Sequence, residues 1–290
     1  MNPIHRVLGF TGRVLRVVGT RLELVGKTRN AYQEDIPARD QLIRLMFQRM
    51  EAGESWEAVI REPAAIRHSE RVVEYTYVWK RLREIQPRRL LDVGCVMNNP
   101  VIDPAIGPAC ETNFLNPALE PLVRKEAIYH VGPLGSFCRP ENYDLVTCLS
   151  TLEHIGFDNT RYGTKSLDEG WEWDRCIAEF VRSLKLLRGC TDNSGTILIS
   201  APFGRREFVR LPPVTGPRVW QVIHEAHLAA MRSDSELADA KVAIFKLGAD
   251  GWGAAGENES HATFGSVGSA ASAVIMIEMK GTGGSLIGQP

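Results

Sequence analysis

The chain has little net charge and no long hydrophobic run. Its 290 residues include 34 lysines and arginines against 35 aspartates and glutamates, so the formal net charge is -1. A charge this small gives no general attraction to a polyanion, and the sequence therefore predicts no nucleic-acid partner. No uninterrupted apolar run reaches the length that spans a bilayer. With 44% hydrophobic residues, the composition is that of an ordinary globular protein.

Cysteine is also scarce, and its distribution excludes further classes of protein. None of the six cysteines lies in a CxxC pair; they are Cys95, Cys110, Cys138, Cys148, Cys176 and Cys190. Scattered cysteines favour reduced thiols over a disulfide framework or a zinc site. The sequence therefore predicts a cytoplasmic protein without a metal site.

Acidic residues are scarce at the amino terminus. Within residues 1–30 one glutamate, Glu23, stands against six basic residues, a local charge of +5. Apolar residues recur there at three- and four-residue spacing, as on one face of a helix. The arginines interrupt the segment too often for a secretory signal peptide. Two interpretations stay open: peripheral attachment to an anionic lipid surface, or packing on its own domain or on a second subunit of an oligomer.

Helical patterns and apolar runs alternate along the rest of the chain. The helical patterns cover residues 35–67, 71–85, 174–189 and 217–232. Seven apolar runs, most of them β-branched, are predicted strands. These are residues 90–93, 112–115, 127–131, 143–150, 196–201, 241–247 and 272–280.

This alternation indicates a parallel sheet that helices cover on both faces. We predict an α/β fold, a Rossmann-like three-layer sandwich whose mostly parallel, seven-stranded sheet ends in an antiparallel hairpin. The domain would span residues 68–290 and follow a helical amino-terminal extension over residues 1–67. In such a sheet the ligand crevice lies beyond the carboxyl ends of the strands, where Gly94, Ser150 and Pro202 fall.

Three segments in register resemble a known family. "LLDVGC", "YDLVTCLSTLEHIGFDN" and "SGTILISAPFG" are similar to the successive signatures of class I S-adenosylmethionine-dependent methyltransferases, in order and spacing across residues 70–280. The segment "STLEHIGFDNTRYG" is most similar to bacterial members that modify sugars, surface glycans or secondary metabolites. The resemblance implies S-adenosylmethionine as cofactor, a small-molecule or glycan acceptor, and O-methylation of an acceptor hydroxyl.

The resemblance also implies which residues meet the cofactor. They are Asp92, Gly94, Cys95, Val96, Asn116, Ser150 and Thr151. A side chain at Gly94 would obstruct the close approach of the cofactor to the backbone. Asp92 is expected to orient the turn or to interact with the cofactor's ammonium group. Ser150 and Thr151 have a second interpretation, since either could be the N-cap of a helix.

His154 is the candidate catalytic base, directly after the fourth predicted strand. Its imidazole could take the proton of an attacking hydroxyl at neutral pH, with Glu153 or Asp158 fixing its orientation. The alternative is that "LEHI" begins a helix, in which His154 caps or packs.

Departures from the family pattern leave an alternative function open. Asn116 stands where the family tends to place an acid for the ribose hydroxyls, with Glu111 and Glu120 nearby but out of register. An amide accepts only through its single oxygen, so it would bind ribose less well. The alternative function is therefore a catalytically degenerate accessory or scaffold protein. A nicotinamide-dependent oxidoreductase is excluded, because "DVGCVMNN" lacks the second and third glycines of GxGxxG.

Two other histidines and four tryptophans could form ligand sites, but we expect a structural role for them. His224 and His227 have the spacing of one helix face and could approach a metal, yet we expect an exposed pair. Four tryptophans could stack on a sugar ring, although core packing is expected of them. They are Trp171, Trp173, Trp220 and Trp252.

Overall fold

The computed structural model describes residues 36–137, 143–155, 172–206, 208–211, 218–258, 264–267 and 270–282. The basic segment 1–30 lies outside these residues. The α-helices of the described part are α1 over residues 36–51, α2 Trp56–Val59, α3 Arg71–Ile85, α4 Leu134–Phe137, α5 Trp173–Gly189 and α6 Glu225–Ser233. Short 3-10 helices lie at Pro63–Arg67, Asp103–Ala105 and Leu152–His154. None of these helices is long and apolar enough to cross a membrane.

Most of the strands join in one sheet. The strands are β1 Arg89–Val93, β2 Glu111–Asn116, β3 Ile128–Val131, β4 Tyr143–Leu149, β5 Thr191–Pro202, β6 Phe208–Leu211, β7 Arg218–Gln221, β8 Lys241–Gly248, β9 Gly251–Ala255, β10 Phe264–Val267, β11 Ala270–Ala271 and β12 Ala273–Lys280. Eight of them form a sheet in the order β3-β2-β1-β4-β5-β12-β8-β9. The first five strands in this order pair in parallel, whereas β12, β8 and β9 pair antiparallel. The remaining strands form the pairs β6-β7 and β10-β11.

The predicted fold class is confirmed, and the sheet has one strand more than expected. All seven predicted strands are present, and β12 with β8 forms the expected antiparallel pair. The additional strand is β9, which pairs antiparallel with β8 at the edge of the sheet. Its sequence, "GWGAA", is rich in glycine and has no apolar alternation, so it gave no strand signal.

One predicted helix is wrong in its first half. Residues 217–232 were expected to be helical, but α6 begins only at Glu225, and β7 occupies Arg218–Gln221. The run "RVWQVI" is β-branched and aromatic, a composition that favours strands. His224 then has extended backbone and accepts a hydrogen bond from the Ala226 N–H, so it is the N-cap where the helix starts.

Two apolar clusters cover the two faces of the sheet. Helices α1, α2 and α3 pack on one face, and helices α5 and α6 on the other. Successive residues of a strand point to opposite faces, so Leu90 of β1 belongs to the first cluster and Leu91 to the second. Both residues are fully buried, as expected for a strand at the centre of a three-layer sandwich.

Strand β9 fastens the amino-terminal helices to the sheet. The Trp252 N–H donates to the Ile60 carbonyl at 2.9 Å, and the Trp252 side chain is fully buried. Gly251 has a φ of +94°, and a Cβ there would lie 2.7 Å from the Glu62 carbonyl oxygen. The chain therefore passes so close to the loop before Pro63 that only glycine fits.

Replacing Gly251 by alanine should destabilise the fold, whereas the same change at Gly253 should not. A Cβ at Gly251 meets backbone atoms and needs an unfavourable φ, so we expect a loss of about 2–4 kcal/mol in the free energy of unfolding. A Cβ at Gly253, two residues along the same strand, has no atom within 4 Å. Urea unfolding of both variants tests this. Equal stabilities would show that β9 does not press against residues 61 and 62.

Candidate functional site

The turn after β1 is shaped by Asp92. Its carboxylate accepts from the Met97 N–H at 2.7 Å and from the Thr147 hydroxyl at 2.7 Å, and the residue is fully buried. Burial raises the pKa of Asp92 to about 6, although both hydrogen bonds oppose the rise. Asp92 thus orients the turn and ties the end of β1 to β4; an interaction with the cofactor's ammonium group stays a prediction.

The single glycine of the turn is required by a neighbouring side chain. Gly94 has a φ of +96°, and a Cβ there would lie 2.0 Å from the Thr151 Oγ1 atom. Within the protein the close approach of Thr151, just after β4, already excludes a side chain at Gly94; the expected contact of Gly94 with a cofactor stays a prediction. Thr151 occupies the N-cap position of the short helix that follows, but its hydroxyl donates to the Leu149 carbonyl at 2.8 Å and makes no capping hydrogen bond.

Cys95 and Val96 complete the turn. Cys95 also has a left-handed backbone, with a φ of 61°, and burial raises the pKa of its thiol to about 12. The Val96 carbonyl accepts a hydrogen bond from the Tyr75 hydroxyl at 3.0 Å. Since Tyr75 belongs to α3, this helix supports the turn from outside the sheet.

Ser150 is held by a buried carboxylate that the sequence did not single out. Its backbone is left-handed, with a φ of 38°, and its hydroxyl donates to Glu74 Oε1 at 2.6 Å. The Ser200 hydroxyl donates to the same oxygen at 2.5 Å, and the Arg71 guanidinium donates to the other. Glu74 is fully buried, so helix α3 contributes a charged group to the carboxyl ends of β4 and β5.

Two more buried acids surround this carboxylate. Burial and the nearby Glu74 charge raise the pKa of Glu70 to about 7. Burial raises the pKa of Glu153 well above its usual range, and the charges of Glu74 and Glu70 add to the rise. Glu153 is 3% exposed, and its Oε2 atom has no hydrogen-bond partner within the described part of the chain. Arg71 is the cation that opposes these effects on both acids.

His154 lies at the surface beside this cluster. Its side chain is 37% exposed, and its Nε2 atom lies 3.9 Å from Glu153 Oε1, a distance longer than a hydrogen bond. The structure therefore brings His154 and Glu153 together on one turn, without the hydrogen bond by which Glu153 was expected to orient the imidazole. Asp158, the other predicted orienting residue, lies outside the described residues.

An acidic side chain, that of Glu120, lies beside Asn116 at the carboxyl end of β2. Asn116 is buried, and its Nδ2 atom donates to the Ala118 carbonyl at 3.2 Å and to Glu120 Oε1 at 3.1 Å. The chain after β2 thus folds back and places the exposed Glu120 carboxylate beside Asn116. Glu120, which the sequence placed out of register with Asn116, is thus within hydrogen-bond distance of it. Glu111 lies at the opposite end of β2.

The histidine pair predicted to be exposed is buried. His224 is 5% exposed and His227 is fully buried, because they form the capping box of α6 instead of lying along its outer face. Trp173 packs edge-on against His224, and Trp252 is a core residue; Trp171 and Trp220 lie outside the described side chains. Across the described ranges, no group of three histidine, cysteine or acidic residues could hold a metal ion.

Comparison with known proteins finds similar folds. No family model matches the chain, and no curated protein does. One similar solved structure is an S-adenosylmethionine-dependent methyltransferase from Clostridium acetobutylicum, with 7% identity, 73% of this chain and 96% of that chain covered, and a TM-score of 0.41. An amino pentose methyltransferase from Micromonospora echinaspora has 14% identity, 78% and 92% coverage, and a TM-score of 0.38. The 1,6-didemethyltoxoflavin-N1-methyltransferase from Burkholderia thailandensis has 10% identity, 76% and 79% coverage, and a TM-score of 0.44.

Replacing Glu153 by glutamine should change how stability depends on pH. Because its pKa is raised in the native state, the native protein keeps a proton that the unfolded chain, with a pKa of about 4.3, has released. The wild type should therefore lose stability as the pH rises above about 4.3 towards the native pKa. Glutamine carries no such proton, so the stability of Glu153→Gln relative to wild type should rise from about pH 5 to pH 8.

Urea unfolding across this pH range measures the effect. Glu126→Gln, at an exposed position, is the control and should run parallel to the wild type at every pH. A Glu153→Gln curve that also runs parallel to the wild type would show that Glu153 is ionised and solvated in the native protein.

Proposed function

We propose that the protein is an S-adenosylmethionine-dependent methyltransferase that methylates a hydroxyl group of a sugar, glycan or secondary metabolite. The observation that carries the proposal is that several polar groups lie together at the carboxyl ends of the parallel strands. The turn at Gly94, the Glu120 carboxylate and the Ser150–His154 segment all follow the carboxyl ends of parallel strands. This edge is where an open α/β sheet binds its ligands.

The described residues fit the parts of the proposed cofactor. The Glu120 carboxylate could accept hydrogen bonds from two neighbouring ribose hydroxyls, which Asn116 alone could not do. The turn at Gly94 and Cys95, held by Asp92, would support the methionine portion. The buried Glu153 oxygen that has no partner is a polar atom still open to a ligand. When bound, S-adenosylmethionine would supply an electrophilic methyl group on its sulfonium.

His154 is proposed as the base for the acceptor hydroxyl. It is partly exposed at the end of the turn after β4, so an acceptor can reach it from solvent. Glu153, beneath it, is proposed to stay protonated at neutral pH, because burial raises its pKa. A neutral Glu153 would not pair with the imidazolium, so His154 would return its proton to solvent readily.

The scaffold alternative depends on the absence of an acidic residue that could bind the ribose hydroxyls of the cofactor. Asn116 suggested that absence, and Glu120 now offers the carboxylate from four residues further along. This contact favours an intact cofactor site over a degenerate one. We also propose that the protein is cytoplasmic and that residues 1–30 contact either a membrane surface or a second subunit.

Replacing Glu120 by glutamine should weaken cofactor binding, whereas Glu111→Gln should not. Wild type should bind S-adenosylhomocysteine at micromolar affinity in titration calorimetry. Loss of charge-assisted hydrogen bonds to ribose should raise the dissociation constant about tenfold, or about 1.4 kcal/mol, for Glu120→Gln. Glu111 flanks the amino end of the same strand, so its variant should match the wild type. No binding of the cofactor by the wild type at millimolar concentration would favour the scaffold alternative.

Replacing His154 by glutamine should slow methyl transfer without weakening cofactor binding. Removal of a general base typically costs about 100-fold or more in rate, and the acidic limb of the pH–rate profile should disappear with it. The assay follows S-adenosylhomocysteine formation with a panel of methyl glycosides as acceptors. Unchanged kcat and an unchanged pH profile would show that His154 is not the base.

A further inference from the structure

A buried polar cluster lies at the start of α6, next to the candidate catalytic turn. We call Gln221, His224 and His227 the α6 cluster. Strand β7, which ends at Gln221, packs against the Leu152–His154 turn. The Ile223 N–H donates to the Pro202 carbonyl at 3.0 Å, which places the cluster beyond the carboxyl end of β5. The cluster therefore lies beside the turn that carries His154, at the carboxyl ends of the same strands.

The hydrogen bonds of His227 define its protonation. Its Nδ1 atom accepts from the His224 N–H at 3.3 Å, so we assign its proton to Nε2. Nε2 then donates to Gln221 Oε1 at 2.9 Å. Burial lowers the pKa of His227 to about 3, so the ring is neutral at physiological pH. His227 is thus fully satisfied and fixes the orientation of the Gln221 amide.

His224 is left with a donor that has no acceptor. Its Nδ1 atom accepts from the Ala226 N–H at 3.2 Å, so its proton is also on Nε2. Burial and the charge of Arg206 lower the pKa of His224 to about 4, which keeps the ring neutral. The Nε2 atom is buried and has no hydrogen-bond partner among the described residues.

Gln221 carries a second donor of the same kind. Its Oε1 atom is used by His227, and its buried Nε2 atom has no hydrogen-bond partner in the described ranges. The residue is 1% exposed. A buried donor without an acceptor is costly, so two of them in one cluster indicate a ligand that accepts hydrogen bonds.

The charge beside the cluster is positive. The Arg206 guanidinium lies over the Trp173 ring, 5.0 Å from its centroid, and Trp173 packs edge-on against His224. Arg206 lowers the pKa of both histidines, which shows that its charge acts on the cluster. The acid that acts on His224 is the exposed Glu225, and its effect is the smallest of the three causes.

We propose that the α6 cluster, with Arg206, binds an oxyanion: a carboxylate or phosphoryl group carried by the acceptor. Two neutral N–H donors and one guanidinium suit such a group, whose oxygens accept several hydrogen bonds. The site narrows the acceptor of the proposed methyltransferase to an acidic compound, such as a sugar acid or a sugar phosphate. In that respect the inference rests on the proposed function, although the anion site itself does not.

Histidine side-chain NMR tests the anion site without cofactor or activity. The full-length 15N-labelled protein is titrated with inorganic phosphate, acetate and a hexuronic acid near neutral pH. The His224 Nε2–H resonance should shift in a saturable manner, with a dissociation constant of about 1–10 mM for the simple anions. The hexuronate should bind more tightly than acetate, because its ring would meet the rest of the crevice.

Conservative variants distinguish the loss of a hydrogen-bond donor from a loss of folding. His224→Asn retains an N-cap acceptor and removes the imidazole donor. Gln221→Glu retains the acceptor for His227 Nε2 and replaces the donor by a negative charge. We expect each of these two variants to raise the dissociation constant for the anion at least tenfold. Arg206→Gln should raise it by about three- to tenfold. Arg205→Gln, an adjacent exposed arginine with the same charge change, should bind as the wild type does.

Specific outcomes would overturn the inference. No saturable shift up to about 100 mM phosphate or acetate would mean that water satisfies both donors. Equal losses for Arg205→Gln and Arg206→Gln would reduce the effect to general surface charge. If phosphate binds but the hexuronate binds no more tightly than acetate, the inference that the bound oxyanion belongs to the methyl acceptor would be overturned. Anion binding by a protein that binds no S-adenosylhomocysteine would support the site and contradict the proposed function.

Discussion

The ends of the central strands depend on one buried carboxylate, that of Glu74. Its oxygens accept hydrogen bonds from Ser150, Ser200 and Arg71, so helix α3 is tied to β4 and β5 at the point where the crevice opens. A buried charge is tolerated only when it is paired and fully hydrogen-bonded, and removal of one partner typically costs about 3–5 kcal/mol. The left-handed backbone of Ser150, and with it the contact of Thr151 on Gly94, is held in place by this arrangement.

Two sets of buried polar groups with different chemistry lie near the carboxyl ends of the strands, one on the α3 side and one on the α6 side. On the α3 side, Glu70 and Glu153 have raised pKa values because they are buried next to Glu74. On the α6 side, His224 and Gln221 present N–H groups, and Arg206 supplies positive charge. Under the two proposals, an acidic acceptor would be held by the α6 side while its hydroxyl faces His154.

The sequence was most informative where burial on both faces leaves a continuous apolar run. The strands β1, β4 and β5 are of this kind, and Asp92 was identified from the resemblance of "LLDVGC" to a family signature. Contacts between distant segments were not predictable. Glu74 looked like one of many charges on a helix, and Glu120 needed the path of the loop after β2. Strand β9 pairs with β8 and also donates from Trp252 to the Ile60 carbonyl, partners that the glycine-rich segment itself does not reveal.

The place of β12 in the sheet has a consequence for synthesis of the protein. This strand comes last among the described strands, yet it lies between β5 and β8 and pairs with both. Until it leaves the ribosome, the nascent chain exposes two unpaired strand edges flanked by apolar side chains, a template for aggregation. The sheet can close only after β12 has been synthesised. A chain that ended before Ala273 would therefore be a substrate for chaperones and proteases instead of a smaller folded domain.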